Sequence, residues 1–254
     1  MPDRSSLAPK SSAAGSERRL FAGTSGYSFK EWLGHFYPEK LAASEMLHYY
    51  SEHFPTVEIN NTFYRMPAES MLAQWLEQVP EDFSFTLKAP RRITHELRLR
   101  DADAHVAEFV RRAGTLGSRL GVLLFQLPPY LKKDLPRLQA FLDVVPVGTR
   151  VALEFRHESW QDEDVHQALR SRGAILCVTD TDEGETPLVA TSDWGYVRLR
   201  RTHYEDRELA DWAVRIAAQP VARSYVYFMH EDEALGTRFA RRLIELWPGA
   251  PVTP

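Results

Sequence analysis

Residues 150–156 read Arg150-Val151-Ala152-Leu153-Glu154-Phe155-Arg156. Val151, Leu153 and Phe155 alternate with Ala152, Glu154 and Arg156. A β-strand sends successive side chains to opposite faces. One face of this stretch is therefore bulky and apolar, while the other starts small and ends charged. In a barrel of parallel strands, alternate residues face the surrounding helices and the barrel interior. The C-terminal strand ends of such a barrel form its active-site mouth. This stretch fits such a strand, with Glu154 and Arg156 at the mouth.

The same signature recurs along the chain. Val57 and Ile59 suit the helix side, which turns Glu58 and Asn60 inward. Phe83, Phe85 and Leu87 alternate with Ser84, Thr86 and Lys88, and Val197 and Leu199 with Tyr196, Arg198 and Arg200. A fourth candidate ends in Gln126, and a sixth runs into Thr179-Asp180. Runs rich in Val, Ile, Leu, Phe and Tyr predict eight strands: 20–25, 56–60, 83–88, 120–126, 150–156, 174–179, 195–200 and 224–229.

Helical period fills the intervals. Met46, Leu47, Tyr50 and Phe54 share a face, as do Met71, Leu72, Trp75, Leu76 and Val79. Val106, Phe109, Val110 and Ala113 follow the i, i+3, i+4, i+7 spacing, as do Leu209, Trp212, Ala213 and Ile216. Further stripes run through Leu135 to Val145, Val165 to Leu169 and Leu235 to Leu246. Eight strands, each followed by a helix, point to an α/β fold: a (β/α)8 TIM-type barrel forming one domain over residues 20–250. An open doubly wound sheet remains the alternative, because alternation alone does not show closure. The dinucleotide-binding version is disfavoured: Gly23-Thr24-Ser25-Gly26-Tyr27 lacks GxGxxG spacing, and no GxxxxGK[ST] loop occurs.

Composition agrees. The 254 residues are 44% hydrophobic and 26% charged, ordinary for a globular chain with a full core. The formal charge is −4, and residues 1–19 carry four basic against two acidic side chains. The mildly acidic body argues against broad nucleic-acid binding, which needs a basic surface. The lone Cys177 excludes an internal disulfide framework and a CxxC zinc site. Residues 1–19 hold five Ser and no apolar run, and are expected to form a disordered tail rather than a signal peptide. No stretch has the ~18 apolar residues of a membrane helix, so a cytoplasmic location is expected by default and no membrane partner is implied.

The inward polar residues carry the functional reading. Glu58, Lys88, Glu154, Arg156 and Arg198 would converge at the mouth. Burying such charges costs several kcal/mol each unless they are paired. Two readings stay open: a ligand pocket, or a salt-bridge network plugging the barrel top. In the first, Glu58 and Glu154 supply acid–base catalysis. Lys88 stabilises an oxyanion or forms a Schiff base. Arg156 and Arg198 clamp an anion. Tyr27 and Tyr64 wall the pocket, and Asn60, Gln126, Asp180 and His230 complete the substrate-binding set at the strand ends. Trp32, Phe36 and Trp160 are read as local core. The partner expected is a small anionic or polyhydroxylated molecule.

No cofactor and no zinc are expected. HxH, HExxH and DxD spacings are absent, although weak divalent binding through Glu58 and Glu154 is left open. Two further functions are retained: a metal-dependent hydrolase or nuclease drawing ligands from Glu58, Glu154, Asp180, His157, His203 and His230, and a noncatalytic protein that senses a ligand.

At these same positions the sequence resembles the domain of unknown function 72 family, also called YecE-like. The resemblance runs from about Leu20 to Trp247. It rests on Gly23-Thr24-Ser25-Gly26-Tyr27, Trp32 with Phe36-Tyr37-Pro38, and Val57-Glu58-Ile59-Asn60-Asn61-Thr62-Phe63-Tyr64. It continues through Phe85-Thr86-Leu87-Lys88, Ile93-Thr94-His95, Leu124-Phe125-Gln126-Leu127-Pro128-Pro129 and Glu154-Phe155-Arg156-His157-Glu158-Ser159-Trp160. The resemblance implies a TIM-barrel-like fold and supplies no reaction. Two stretches depart from the pattern: Arg200-Arg201 stands where His-Gly is usual, and Met229-His230 where Asn-Asn is usual. Both lie at the predicted mouth.

Overall fold

The computed structural model describes residues 18–230 and 232–248. Eight parallel strands form a barrel: β1 (Arg19–Thr24), β2 (Thr56–Ile59), β3 (Ser84–Lys88), β4 (Leu120–Gln126), β5 (Val151–Glu154), β6 (Ile175–Thr181), β8 (Trp194–Leu199) and β9 (Arg223–Phe228). The two-residue β7 (Gly184–Glu185) folds back antiparallel on the end of β6. Hydrogen-bonded neighbours run β1-β9-β8-β6-β5-β4-β3-β2. The helices are α1 (Met46–Ser51), α2 (Glu69–Leu76), α3 (Asp103–Ala113), α4 (Leu135–Val144), α5 (Glu163–Ser171), α6 (Asp206–Ala217) and α7 (Leu235–Glu245).

Each expected strand is present, displaced by no more than three residues at either end. The expectation of a helix after every strand needs one revision. Between β6 and β8 the chain forms the β7 hairpin and coil, and no helix. Residues 182–193 are rich in polar residues and offer no apolar stripe for one. The tail expected over 1–19 lies outside the described residues up to position 17. Arg19 already belongs to β1, opposite Arg223.

The barrel ends meet at a seam. β1 and β2 share no ladder, yet a Cβ on Gly23 would lie 2.2 Å from the Thr56 carbonyl oxygen. Only glycine allows the two backbones to approach so closely. The buried Tyr50 hydroxyl bridges this seam. It accepts from the Thr24 N–H at 2.9 Å and donates to the Thr56 carbonyl at 3.1 Å. One α1 side chain thus serves two backbone groups that lack a ladder partner.

Strand alternation separates two cores. Val57, Ile59, Phe85, Leu87, Leu123, Phe125, Leu153, Val178, Val197, Val226 and Phe228 face the helices, and pack on residues such as Leu72, Phe109, Phe141, Leu169, Trp212 and Leu243. The barrel interior holds a smaller cluster: Phe21, Val122, Leu124, Ala152, Ile175, Cys177, Trp194, Tyr196, Tyr225 and Tyr227. Layers of inward side chains fill such barrels. Here the middle layer is already half polar. Tyr227 shares hydrogen bonds with Thr56 at 2.7 Å and Thr86 at 2.8 Å. Trp32, Phe36 and Tyr37 form an aromatic cluster with Tyr49, Tyr50 and Phe54 against α1, and Trp160 is buried against Phe155.

Candidate active site

The top layer of the barrel consists of the polar strand ends. Arg198, at the end of β8, is fully buried. Its Nη2 donates to Glu58 Oε1 at 2.7 Å, and its Nη1 to Glu154 Oε2 at 2.5 Å. One guanidinium thus ties β2 to β5 across the barrel. Glu58 also accepts from the Tyr196 hydroxyl, and from Asn60 Nδ2 at 3.2 Å. Glu154 accepts from Gln126 Nε2 at 2.7 Å and from Arg156 Nε at 3.1 Å, with Arg200 Nη1 at 3.8 Å.

These partners decide the charge states. Burial pushes the Glu154 carboxyl up, but Arg198, Arg156 and Arg200 outweigh it and hold the group at about 2. Burial opposes ionisation of Glu58 as well, yet Arg198 and the Tyr196 hydrogen bond leave its carboxyl below the usual range. Both carboxylates are ionised and engaged.

Above this layer opens a cavity of about 380 Å³. Ser25, Asn60, Lys88, Arg198 and Arg200 line it, with Tyr27, Phe29, Tyr64 and Met229 as apolar walls. Its size suits a small molecule. Gly26, at φ +121°, turns the chain after β1 over the rim, and a Cβ there would strike the Phe29 ring.

Lys88 differs from the other buried charges. Its ammonium makes no ion pair among the described residues, and its Nζ lies 4.3 Å from the centre of the Phe63 ring. Burial and the repulsion of Arg198 push its amine down to about 8, against a partial pull from Glu154 and Glu58. Lys88, Arg156, Arg198 and Arg200 set four cations against two carboxylates, so the mouth carries surplus positive charge. Three buried polar atoms on cavity-lining residues have no partner among the described residues: Ser25 Oγ, a donor or acceptor, Arg198 Nε, a donor, and Asn60 Oδ1, an acceptor. The Asn60 amide is oriented by its Nδ2, which faces Glu58 and the Ser25 carbonyl.

Glu58, Asn60, Lys88, Gln126, Glu154, Arg156 and Arg198 therefore meet in the mouth, with Tyr27 and Tyr64 on the cavity wall. Two expected members do not. Asp180 faces the helices: its Oδ2 accepts from Trp212 Nε1 at 3.1 Å and Arg201 Nε at 2.8 Å. The strand continues to Thr181, which puts Asp180 in phase with helix-facing Val178. His230 lies outside the cavity lining. Its Nε2 bonds the Arg201 carbonyl, and its ring packs on Tyr204 and Phe239.

Ser25, Arg200 and Tyr196 were missed as site residues. For Arg200 the signal existed, since it shares the inward phase of Tyr196 and Arg198. The departures at 200–201 and 229–230 also pair off in space. Arg200 Nη2 meets Met229 Sδ at 3.1 Å on the cavity wall, while Arg201 and His230 bond each other beside it. Among the described residues, no three His, Cys, Asp or Glu side chains converge to hold a metal ion. His157 instead accepts from the Ser159 N–H at 3.1 Å and caps a short turn.

The family pattern described as "Protein of unknown function DUF72" matches residues 21–252. The chain belongs to the DUF72 family. It is 33% identical over 168 residues to the UPF0759 protein YecE of Escherichia coli strain K12, covering 64% of this chain and 59% of that relative. With the UPF0759 protein YunF of Bacillus subtilis it shares 26% over 204 residues, covering 74% and 71%. A DUF72 crystal structure from Thermotoga maritima superposes with a TM-score of 0.80 at 30% identity, over 89% of this chain and 98% of that one. An Enterococcus faecalis DUF72 structure gives 0.74 at 18%, over 89% and 94%, a likeness of fold alone. No helix among the described residues is long and apolar enough to cross a membrane.

Proposed function

We propose that this DUF72 protein is an enzyme acting on a small hydroxylated anion held in the barrel mouth, with Lys88 as its acid–base group. The observation that carries this reading is the unpaired Lys88 ammonium in a cavity where cations outnumber carboxylates. A group that titrates near 8 exchanges protons readily at neutral pH. Arg200 and the free Arg198 Nε–H offer donors to an anionic group. Asn60 Oδ1 offers an acceptor to a ligand hydroxyl. Tyr27 and Tyr64 would cover the carbon skeleton. Glu58 and Glu154 serve here as the fixed counter-charges that position Arg198, because carboxylates held so low are weak bases.

Calorimetric titration with glycerate and with glycerol phosphate at pH 7 tests the reading. Arg200→Met is expected to weaken binding by roughly tenfold to a hundredfold, the worth of a hydrogen bond to a charged group. Absence of binding by the native chain, or equal affinity in the variant, overturns it. Binding without turnover of any hydroxylated anion would select a ligand-sensing protein instead.

A further inference from the structure

We propose that Lys88 is a covalent site that captures a carbonyl compound bearing an anionic group as an imine. This rests on the reading above and narrows the ligand to an oxo acid or an oxo-sugar phosphate.

The geometry supports a nucleophile more than a counter-ion. Glu58 and Glu154 are already satisfied by Arg198, Gln126, Arg156, Asn60 and Tyr196, so neither is left to pair with Lys88. Lys88 ends β3, where its backbone is fixed by pairing with Leu124 of β4 and by the Thr62 hydroxyl, which donates to its carbonyl at 2.7 Å. Its Nζ rests on Phe63, which packs edge-on against His95 at 4.9 Å between ring centres. Arg198 of β8 and Arg200 just beyond it line the same cavity and favour loss of its proton. A desolvated amine next to other cations is an activated nucleophile.

The step balances within the named reactants. The neutral amine adds to the carbonyl carbon, and the carbonyl oxygen gains a proton, giving a carbinolamine. That hydroxyl leaves as water with the second amine hydrogen, and a carbon–nitrogen double bond remains. The flanking guanidiniums hold the ligand's anionic group and set the carbonyl against Nζ.

Reductive trapping tests this on the full chain at pH 7.5. Hydroxypyruvate or dihydroxyacetone phosphate is added with borohydride, which delivers hydride to the protonated imine and leaves a secondary amine. Intact mass and peptide mapping are expected to show one adduct, on Lys88, formed about tenfold or more faster than on exposed Lys30, Lys40 and Lys132, which lack its environment. The two probes separate a carboxylate-bearing from a phosphate-bearing ligand. Lys88→Arg keeps the cation but cannot form an imine: it should bind glycerate or glycerol phosphate yet give no adduct. An adduct spread evenly over the lysines, or none, overturns the imine. If glycerate and glycerol phosphate still bind in an Arg200-dependent way, the anion site survives that failure; if they do not, both readings fall.

Discussion

Arg198 and Lys88 stand in the same barrel mouth, and their surroundings differ. Arg198 is fully buried between two carboxylates and spans strands far apart in sequence. Lys88 is partly buried, rests on an aromatic ring and faces open space. A buried charge missing one partner is costly, so Arg198 and its carboxylates form a closed unit that shapes the floor. The Lys88 ammonium gains only a partial pull from Glu154 and Glu58, set against burial and the repulsion of Arg198.

The largest expected effect breaks the floor. Arg198→Met leaves Glu58 and Glu154 buried without their shared cation, and should cost about 3–5 kcal/mol in denaturant unfolding at pH 7. The deficit should shrink toward pH 4, where the abandoned carboxyls take up protons. A loss below about 1 kcal/mol would mean that the floor is not a structural unit.

Glu154→Gln keeps the shape but puts an amide among donors from Gln126, Arg156 and Arg198. A loss of about 2–4 kcal/mol is expected. Native Glu154 is ionised down to about 2 in the folded chain, so its contribution is present above the unfolded carboxyl range near 4.5. It is lost as pH falls toward 2, and the variant should lack that part of the acid transition.

Lys88→Met should act in the opposite direction, raising stability at pH 7 by about 1–3 kcal/mol, because it removes a desolvated cation beside Arg198 and Arg200. The sign follows from linkage. Between about 8 and 10.5 the unfolded chain holds a proton on Lys88 that the folded chain has released, so native stability rises with pH across that window. The variant's thermal melts should lack this rise. A destabilised Lys88→Met would place Lys88 with the floor and erase the contrast.

Tyr64→Ala gives the smallest change in stability. Its side chain is 78% exposed, so melting should shift by no more than about 0.5 kcal/mol. Glycerate and glycerol phosphate should bind more weakly if Tyr64 covers a ligand. Unchanged affinity would remove it from the cavity wall.

Much of this molecule was legible in its sequence because strand and helix periods are local. The bulky residues at 151, 153 and 155 show which side of that strand meets helices, and hence where Glu154 points. The same phase rule placed Glu58, Lys88 and Arg198 inward. The rule has to be carried further along β6, which extends to Thr181, two residues beyond its expected end: the same phase turns Asp180, with Val178, to Trp212 rather than to the mouth. His230 lies past the end of β9, where the alternation no longer applies.

By itself, the sequence determined eight strands, their inward faces and the charged character of one barrel end, since each depends on neighbours a few residues away. Tertiary structure alone decided which charges are satisfied. Glu58 and Glu154 stand 140 and 44 residues from Arg198 along the chain, and no local period encodes that one guanidinium would engage both. Strand order and barrel closure brought the three together, and left Lys88 without an ion pair among the described residues.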